Sequence, residues 1–189
     1  MPALKTTTSA AVYQLKVTLK GVRPPIWRRL QVRGNVSLHN LHRLIQEAMG
    51  WMDGHLHQFR VGRITYGEPS PEWSFPVRSE RKAALSEVLP AQGARLDYDY
   101  DFGDDWQHSV VVERILSPEP RVTYPRCLAG KGACPPEDCG GRYGYERLIA
   151  IMKDPSLEEH VEMKAWLGRD LDPKAFDLAE VNRALSRLR

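Results

Sequence analysis

The segment that most constrains this chain is Leu96-Asp-Tyr-Asp-Tyr-Asp-Phe-Gly-Asp-Asp-Trp-Gln-His-Ser-Val-Val-Val112. Leu96, Tyr98, Tyr100 and Phe102 alternate with Asp97, Asp99 and Asp101, the period-two pattern of a strand with one buried face. Gly103-Asp104-Asp105 reads as a turn and Trp106 to Ile115 as a returning strand. Trp106, His108, Val110 and Val112 share the face of Tyr98, Tyr100 and Phe102 only across an odd-numbered loop, because a one-residue slip turns every side chain over. The expectation is a hairpin with a loop of three or five residues. His108 then points into the aromatic face, and the three carboxylates line the other.

Before this hairpin, Tyr13, Leu15, Val17 and Leu19 alternate with polar residues as a first strand, and Ile26 to Arg33 alternates as its partner after the Pro24-Pro25 turn. Arg28 intrudes on the apolar side of that partner. Ser37 suits the N-cap of a helix with apolar positions Leu38, Leu41, Ile45 and Ala48, ended by Gly50. His39, His42 and Arg43 fall off that stripe or at its edge. His55 to Val61 is strand-like, with His55 and His57 on one face. Residues 66–82 read as an irregular loop, and Ala83 to Leu89 as a short helix. Cys127 to Gly144 shows neither helical nor strand period. Helices follow over Tyr143–Lys153 and Leu157–Leu167, a third element starts at Asp172-Pro173, and a capped helix starts at Asp177.

A chain of 189 residues suits one domain. The organisation read here is a disordered N-terminus over 1–11 and a single α+β domain over 12–189. Its antiparallel sheet is built from hairpins with a packed helix, and 143–189 form a helical C-terminal segment. The net charge of +3 is too small to imply nucleic-acid binding by itself. No apolar run approaches a membrane span, and three cysteines without an apolar leader segment point to a reducing cytoplasm.

Three constellations carry chemistry. Cys127-x6-Cys134-x4-Cys139, with His108 as the foremost fourth ligand and His55, His57 or Asp138 as others, is a candidate site for zinc or another divalent cation. Reduced cysteines packing a loop are the competing reading. Asp97, Asp99, Asp101, Asp104, Asp105, His108, Glu137 and Asp138 form an acidic and histidine set able to hold a cation and activate water. The competing reading there is a solvated stripe, neutralised by the Arg-rich strand ending at Arg33, beside a core histidine. Trp27, Arg29 and Arg33 form a basic, aromatic face suited to phosphate contact and stacking, or to pairing with that stripe. No nucleophile elbow, P-loop or dinucleotide fingerprint is present.

Tyr13-Gln-Leu-Lys-Val17, Pro24-Pro-Ile-Trp-Arg-Arg29, Leu41-His42 through Gly50-Trp51, His55-Leu-His57, Tyr100 to His108, and Tyr124-Pro-Arg-Cys127 through Pro135-Pro-Glu-Asp-Cys-Gly-Gly141 occur in order. On these pieces the chain resembles the plasmid pRiA4b open-reading-frame-3-like proteins, some labelled as passenger or resolvase-like proteins of insertion elements. The resemblance implies a compact bacterial α+β domain associated with plasmids or mobile elements, and it carries no catalytic assignment. The motif residues Trp27, Arg29, His42, Trp51, His55, His57, Asp101, Asp104, Trp106, His108, Glu137 and Asp138 are where a shared functional surface is expected. The leading expectation is a binding module for nucleic acid or a protein partner. The alternatives are a metal-dependent hydrolase or nuclease using the Asp/His cluster, and a structural scaffold.

Overall fold

The computed structural model describes residues 11–71 and 73–188; the expected N-terminal disorder falls almost wholly outside them. The elements are β1 (Val12–Leu19), β2 (Ile26–Arg33), α1 (Leu38–Met49), β3 (His57–Val61), β4 (Ile64–Gly67), β5 (Val77–Ser79), α2 (Leu85–Val88), β6 (Arg95–Tyr100), β7 (Trp106–Leu116), β8 (Arg126–Lys131), α3 (Gly141–Lys153), α4 (His160–Leu167) and α5 (Leu178–Ser186). The strands form one sheet in the order β5, β4, β3, β6, β7, β1, β2, β8. Apart from the parallel β4–β5 pair, the described strands pair antiparallel. Among the described residues no helix is long and apolar enough to cross a membrane.

The central hairpin has the expected register. Tyr100 pairs with Trp106, Tyr98 with His108 and Leu96 with Val110, across the five-residue loop 101–105. All six side chains are buried. Phe102 departs from the expectation: the strand ends at Tyr100, and Phe102 stands in the loop with its ring half-exposed. Asp101 turns the chain at φ 55°, a left-handed conformation held by Oδ1 accepting from the backbone N–H of Gly103 and Asp104 at 3.0 and 3.3 Å.

Helix α1 starts and stops where its sequence signals place it. Ser37 Oγ accepts from Asn40 N at 3.2 Å, and Gly50 at φ 90° donates to Gln46 O at 2.8 Å. The helix buries a wider face than the stripe suggested, taking in His42 and Gln46, because their polar ends meet Tyr98 on β6. At its other end the buried Arg28 of β2 donates to Ala48 O from Nε at 2.8 Å.

Three expectations are corrected. Residues 66–82 are not irregular throughout: β5 adds a parallel edge to β4, and Glu80 directly after it is buried. The start of the cysteine segment is strand β8, whose alternation is broken by a bulge opposite Arg29 and Leu30. Asp172-Pro173 opens only a turn. Helix α5 is capped by Asp177, and Asn182 ties it to β8 by bonding both the N–H and the C=O of Cys127 at 2.9 Å.

The acidic stripe is neutralised, but not by the strand expected. β7 and β1 lie between β6 and β2, so Arg29 reaches Glu113 instead, from Nε at 2.5 Å and from its second nitrogen at 2.7 Å. Asp97 pairs with Lys20 at 2.6 Å. Asp99 takes Arg60 through two bonds, at 2.9 and 3.2 Å.

Candidate functional site

Four of the chain's six histidines, His39, His42, His55 and His57, line one cleft of about 550 Å³ with Asp53, Glu80, Trp73 and Phe102. α1 supplies the first two, the turn after it Asp53, and the run into β3 the others. Imidazoles gathered beside carboxylates in a cleft suit proton transfer or cation binding.

His42 is the best-defined group. Tyr98 accepts from Gln46 Nε2 at 2.9 Å, so its own hydroxyl proton is available to His42 Nδ1 at 2.8 Å. That leaves the His42 proton on Nε2, donated to Asp53 Oδ1 at 2.6 Å. Burial, and then the neighbouring His57, depress the His42 pKa to about 4. The imidazole is therefore neutral at physiological pH and serves to hold Asp53, whose half-exposed carboxylate lines the cleft. Asp53 takes φ 59°, which turns the chain back under α1.

His57 lies face to face with His42, the ring centroids 3.4 Å apart and the planes within 2°. Its Nε2 bonds Glu80 Oε2 at 2.8 Å, and His39 Nδ1 bonds the other oxygen at 3.0 Å. Burial raises the Glu80 pKa, yet hydrogen bonds from the histidines more than offset this and leave it below the ordinary value. One set of potential metal donors within 4.8 Å of one another is His42, Asp53 and His57. Its geometry is that of a hydrogen-bond relay. Imidazole lone pairs lie in the ring planes, and two parallel stacked planes do not converge on an ion at the roughly 2.0–2.1 Å that Zn–N bonds require.

The second such set is His55, Asp101 and Asp138. His55 Nε2 is 3.3 Å from Asp138 Oδ1 and 3.7 Å from Asp101 Oδ2. Charge-assisted hydrogen bonds are shorter, about 2.7–2.9 Å. Two ligands at about 2.0–2.1 Å around a tetrahedral ion stand about 3.3 Å apart. The spacing therefore matches ligands around an ion better than direct bonds. Asp101 has one oxygen committed to its own turn, and Oδ2 is the one facing His55. Asp138, at φ 58°, comes from the Pro-Pro-Glu-Asp loop. That loop is fixed against the cleft by Trp51 Nε1 donating to Pro135 O at 3.0 Å, and by Glu137, which accepts from the Tyr100 hydroxyl and from Met52 N.

A family model described as plasmid pRiA4b ORF-3-like protein matches residues 11–180. The chain belongs to the plasmid pRiA4b ORF-3-like family. An uncharacterized protein of Sinorhizobium fredii, y4hQ, is 39% identical over 181 residues, covering 95% of this chain and 93% of that protein. The crystal structure of a protein of unknown function from Methanosarcina mazei is 41% identical and superposes with a TM-score of 0.82, covering 90% of this chain and 96% of that one. This plasmid-associated family thus has its fold in a solved relative, and these two relatives carry no activity in their descriptions.

In this pRiA4b ORF-3-like protein the motif residues other than Asp104 divide into three groups. His42, His55, His57, Asp101, Trp51, Glu137 and Asp138 build the cleft or the loop beside it. Trp106 and His108 belong to the core: His108 Nδ1 donates to Tyr98 O at 3.2 Å, and Trp51 meets its ring edge-on at 5.3 Å. Trp27 and Arg29 lie on the opposite face, where Arg29 and Lys16 each approach the Trp27 ring at 5.3 Å. The cysteines and His108 are not among the described donor sets within 4.8 Å. Burial raises the thiol pKa of Cys127 and Cys134, and that of Cys139 to about 12. Asp104 keeps one buried oxygen, Oδ2, without a hydrogen-bond partner among the described residues.

Asp53, Glu80, His39 and Tyr98 were not expected at a site. Asp53 sits in an Asp-Gly pair that reads as a turn, and Tyr98 reads as core. Glu80 carries no local signal, because its burial depends on the parallel β5 edge. His39 falls off the apolar stripe or at its edge, and a polar residue there is what a cleft beside the helix requires.

Proposed function

We propose that this protein is a divalent-metal-dependent hydrolase whose ion is held by His55, Asp101 and Asp138, with Asp53 as proton acceptor in the adjoining cleft. The observation that carries this is the spacing of 3.3 and 3.7 Å around His55 Nε2, on three segments separate in sequence. Three protein ligands with an open position are the arrangement of catalytic zinc sites, where the bound ion makes water a nucleophile near neutral pH. Asp53 is held by the neutral His42, which Tyr98 and Gln46 fix in one tautomer. Three free cysteines suit a reducing, cytoplasmic setting.

The test is zinc titration of chelator-treated protein by calorimetry, followed by assays on a p-nitrophenyl ester and on bis(p-nitrophenyl) phosphate. One equivalent of zinc should bind, His55→Ala should abolish it, and hydrolysis should follow the zinc. A wild-type protein that takes up no zinc at micromolar concentration, or takes it up undiminished after His55→Ala, would end this reading.

Partner binding through the Trp27 face is the second reading, favoured by the half-buried indole flanked by Lys16 and Arg29. Its weakness is that Arg29 is already engaged with Glu113. Binding to a single-stranded oligonucleotide that weakens steeply with salt, and again on Trp27→Ala, would support it. No binding at low salt would remove nucleic acid.

A further inference from the structure

The mouth of the cleft has a character that the metal reading does not use. Trp73 and Phe102 both line it, their rings 6.0 Å apart between centroids and inclined at 75°. Trp73 Nε1 donates to Glu68 O at 3.1 Å, which fixes the plane of the indole. Phe102 is 42% exposed although it directly follows the buried Asp101. A phenyl ring held in water by a five-residue loop directly after a buried residue needs a reason.

The charges around this corner have one predominant sign. Asp53, Glu68 and Glu80 line the cleft, and Arg81, the one guanidinium among its described lining residues, is engaged with Glu68 at 3.3 Å. His42 is neutral. An anionic group would meet carboxylates here and no uncommitted arginine or lysine among the lining residues. A cation meets the opposite situation. Aromatic faces carry the negative lobes of the ring quadrupole, and two rings near a right angle touch a tetrahedral ammonium on two sides while carboxylates supply the counter-charge.

We propose that the corner formed by Trp73 and Phe102, beside the Glu68–Arg81 pair at the cleft mouth, is a subsite for a cationic group, an alkylated ammonium or guanidinium. This deepens the hydrolase reading and rests on it for the claim that the cation belongs to a substrate. The binding itself does not depend on the metal. The reacting bond would then lie towards His55 and Asp53, with the cationic end of the molecule seated at the rim.

The experiment uses the full-length protein in chelator, titrated with choline and with its uncharged isostere 3,3-dimethyl-1-butanol, followed by isothermal titration calorimetry. Choline should bind more tightly than the alcohol by on the order of tenfold. Trp73→Ala and Phe102→Ala should each remove most of that preference, and Glu68→Gln should weaken choline alone. Equal binding of the two compounds would mean a plain apolar rim and overturn the proposal. So would binding of neither, or tighter binding of inorganic phosphate than of choline. Because chelator is present, failure of zinc to bind at His55 leaves this result untouched. Zinc titration of Trp73→Ala, expected to match wild type, shows that the two sites fail separately.

Discussion

The hydroxyl of Tyr98 lies 2.8 Å from His42 Nδ1 while its oxygen accepts from Gln46 at 2.9 Å, so one buried phenol sets the tautomer of the histidine that holds Asp53. Burial raises the Tyr98 pKa well above its ordinary value, so the proton stays on the phenol. Tyr98→Phe leaves both the Gln46 amide and His42 Nδ1 without this partner. An unpaired buried polar group costs about 1–3 kcal/mol. The expected loss is about 2 kcal/mol in urea unfolding, with a change in the His42 imidazole nitrogen shifts as its tautomer is released. Unchanged nitrogen shifts would show that Asp53, not Tyr98, decides where the proton sits.

His108 gives a pH prediction. Its pKa is depressed to about 4, mainly by complete burial, against about 6.5 in an unfolded chain. A depressed histidine favours the neutral native form, so its contribution is complete above pH 6.5 and is lost as pH falls from 6.5 towards 4. A shift of this size corresponds to roughly 3 kcal/mol. His42 loses stability over the same window for the same reason. Urea midpoints for wild type should therefore fall between pH 7 and pH 4.5, and His108→Leu should fall less steeply. Parallel slopes in the two proteins would refute the assignment.

Arg28 is a buried cation that pairs with no carboxylate among the described residues. It donates to Ala48 O at 2.8 Å, to Trp27 O at 3.0 Å and to Lys131 O at 3.1 Å, and its guanidinium lies 4.8 Å from the centre of the Phe176 ring. Ala48 belongs to the last turn of α1, so the charge also meets the negative end of the helix dipole. Arg28→Ala orphans these carbonyls and is expected to cost about 3 kcal/mol by urea unfolding. Arg28→Lys should recover only part, since one ammonium cannot span all three acceptors. Full recovery by lysine would show that charge, and not the fork of donors, is what matters.

The fold was legible where one strand face is uniformly apolar. Leu96, Tyr98 and Tyr100 set the hairpin register because a slip would drive Tyr98 into water, and Ser37 and Gly50 bounded α1 because cap chemistry is local. Legibility ended where structure depends on a distant neighbour. Nothing near Cys127 announces β8, which exists as a strand because β2 offers it an edge. The site was half legible for the same reason. His55 and Asp101 stood out by residue type, but their meeting with Asp138 depends on how α3 and its preceding loop dock on the hairpin.

That docking can be tested with two glycines at the same φ of 65°, Gly141 and Gly168. A Cβ at Gly168 meets nothing within 4 Å, whereas at Gly141 it would lie 2.5 Å from the backbone oxygen of Asp104. Both substitutions to alanine carry the left-handed penalty, about 1–2 kcal/mol. Only Gly141→Ala must also push the loop before α3 away from the hairpin turn, because the obstructing atom is backbone. Gly168→Ala should therefore lose about 1 kcal/mol in urea unfolding and bind zinc as wild type does. Gly141→Ala should lose at least about twice that, and its zinc affinity should fall by on the order of tenfold as Asp138 draws away from His55 and Asp101. Equal zinc affinities for the two variants would show that Asp138 does not ligate the ion.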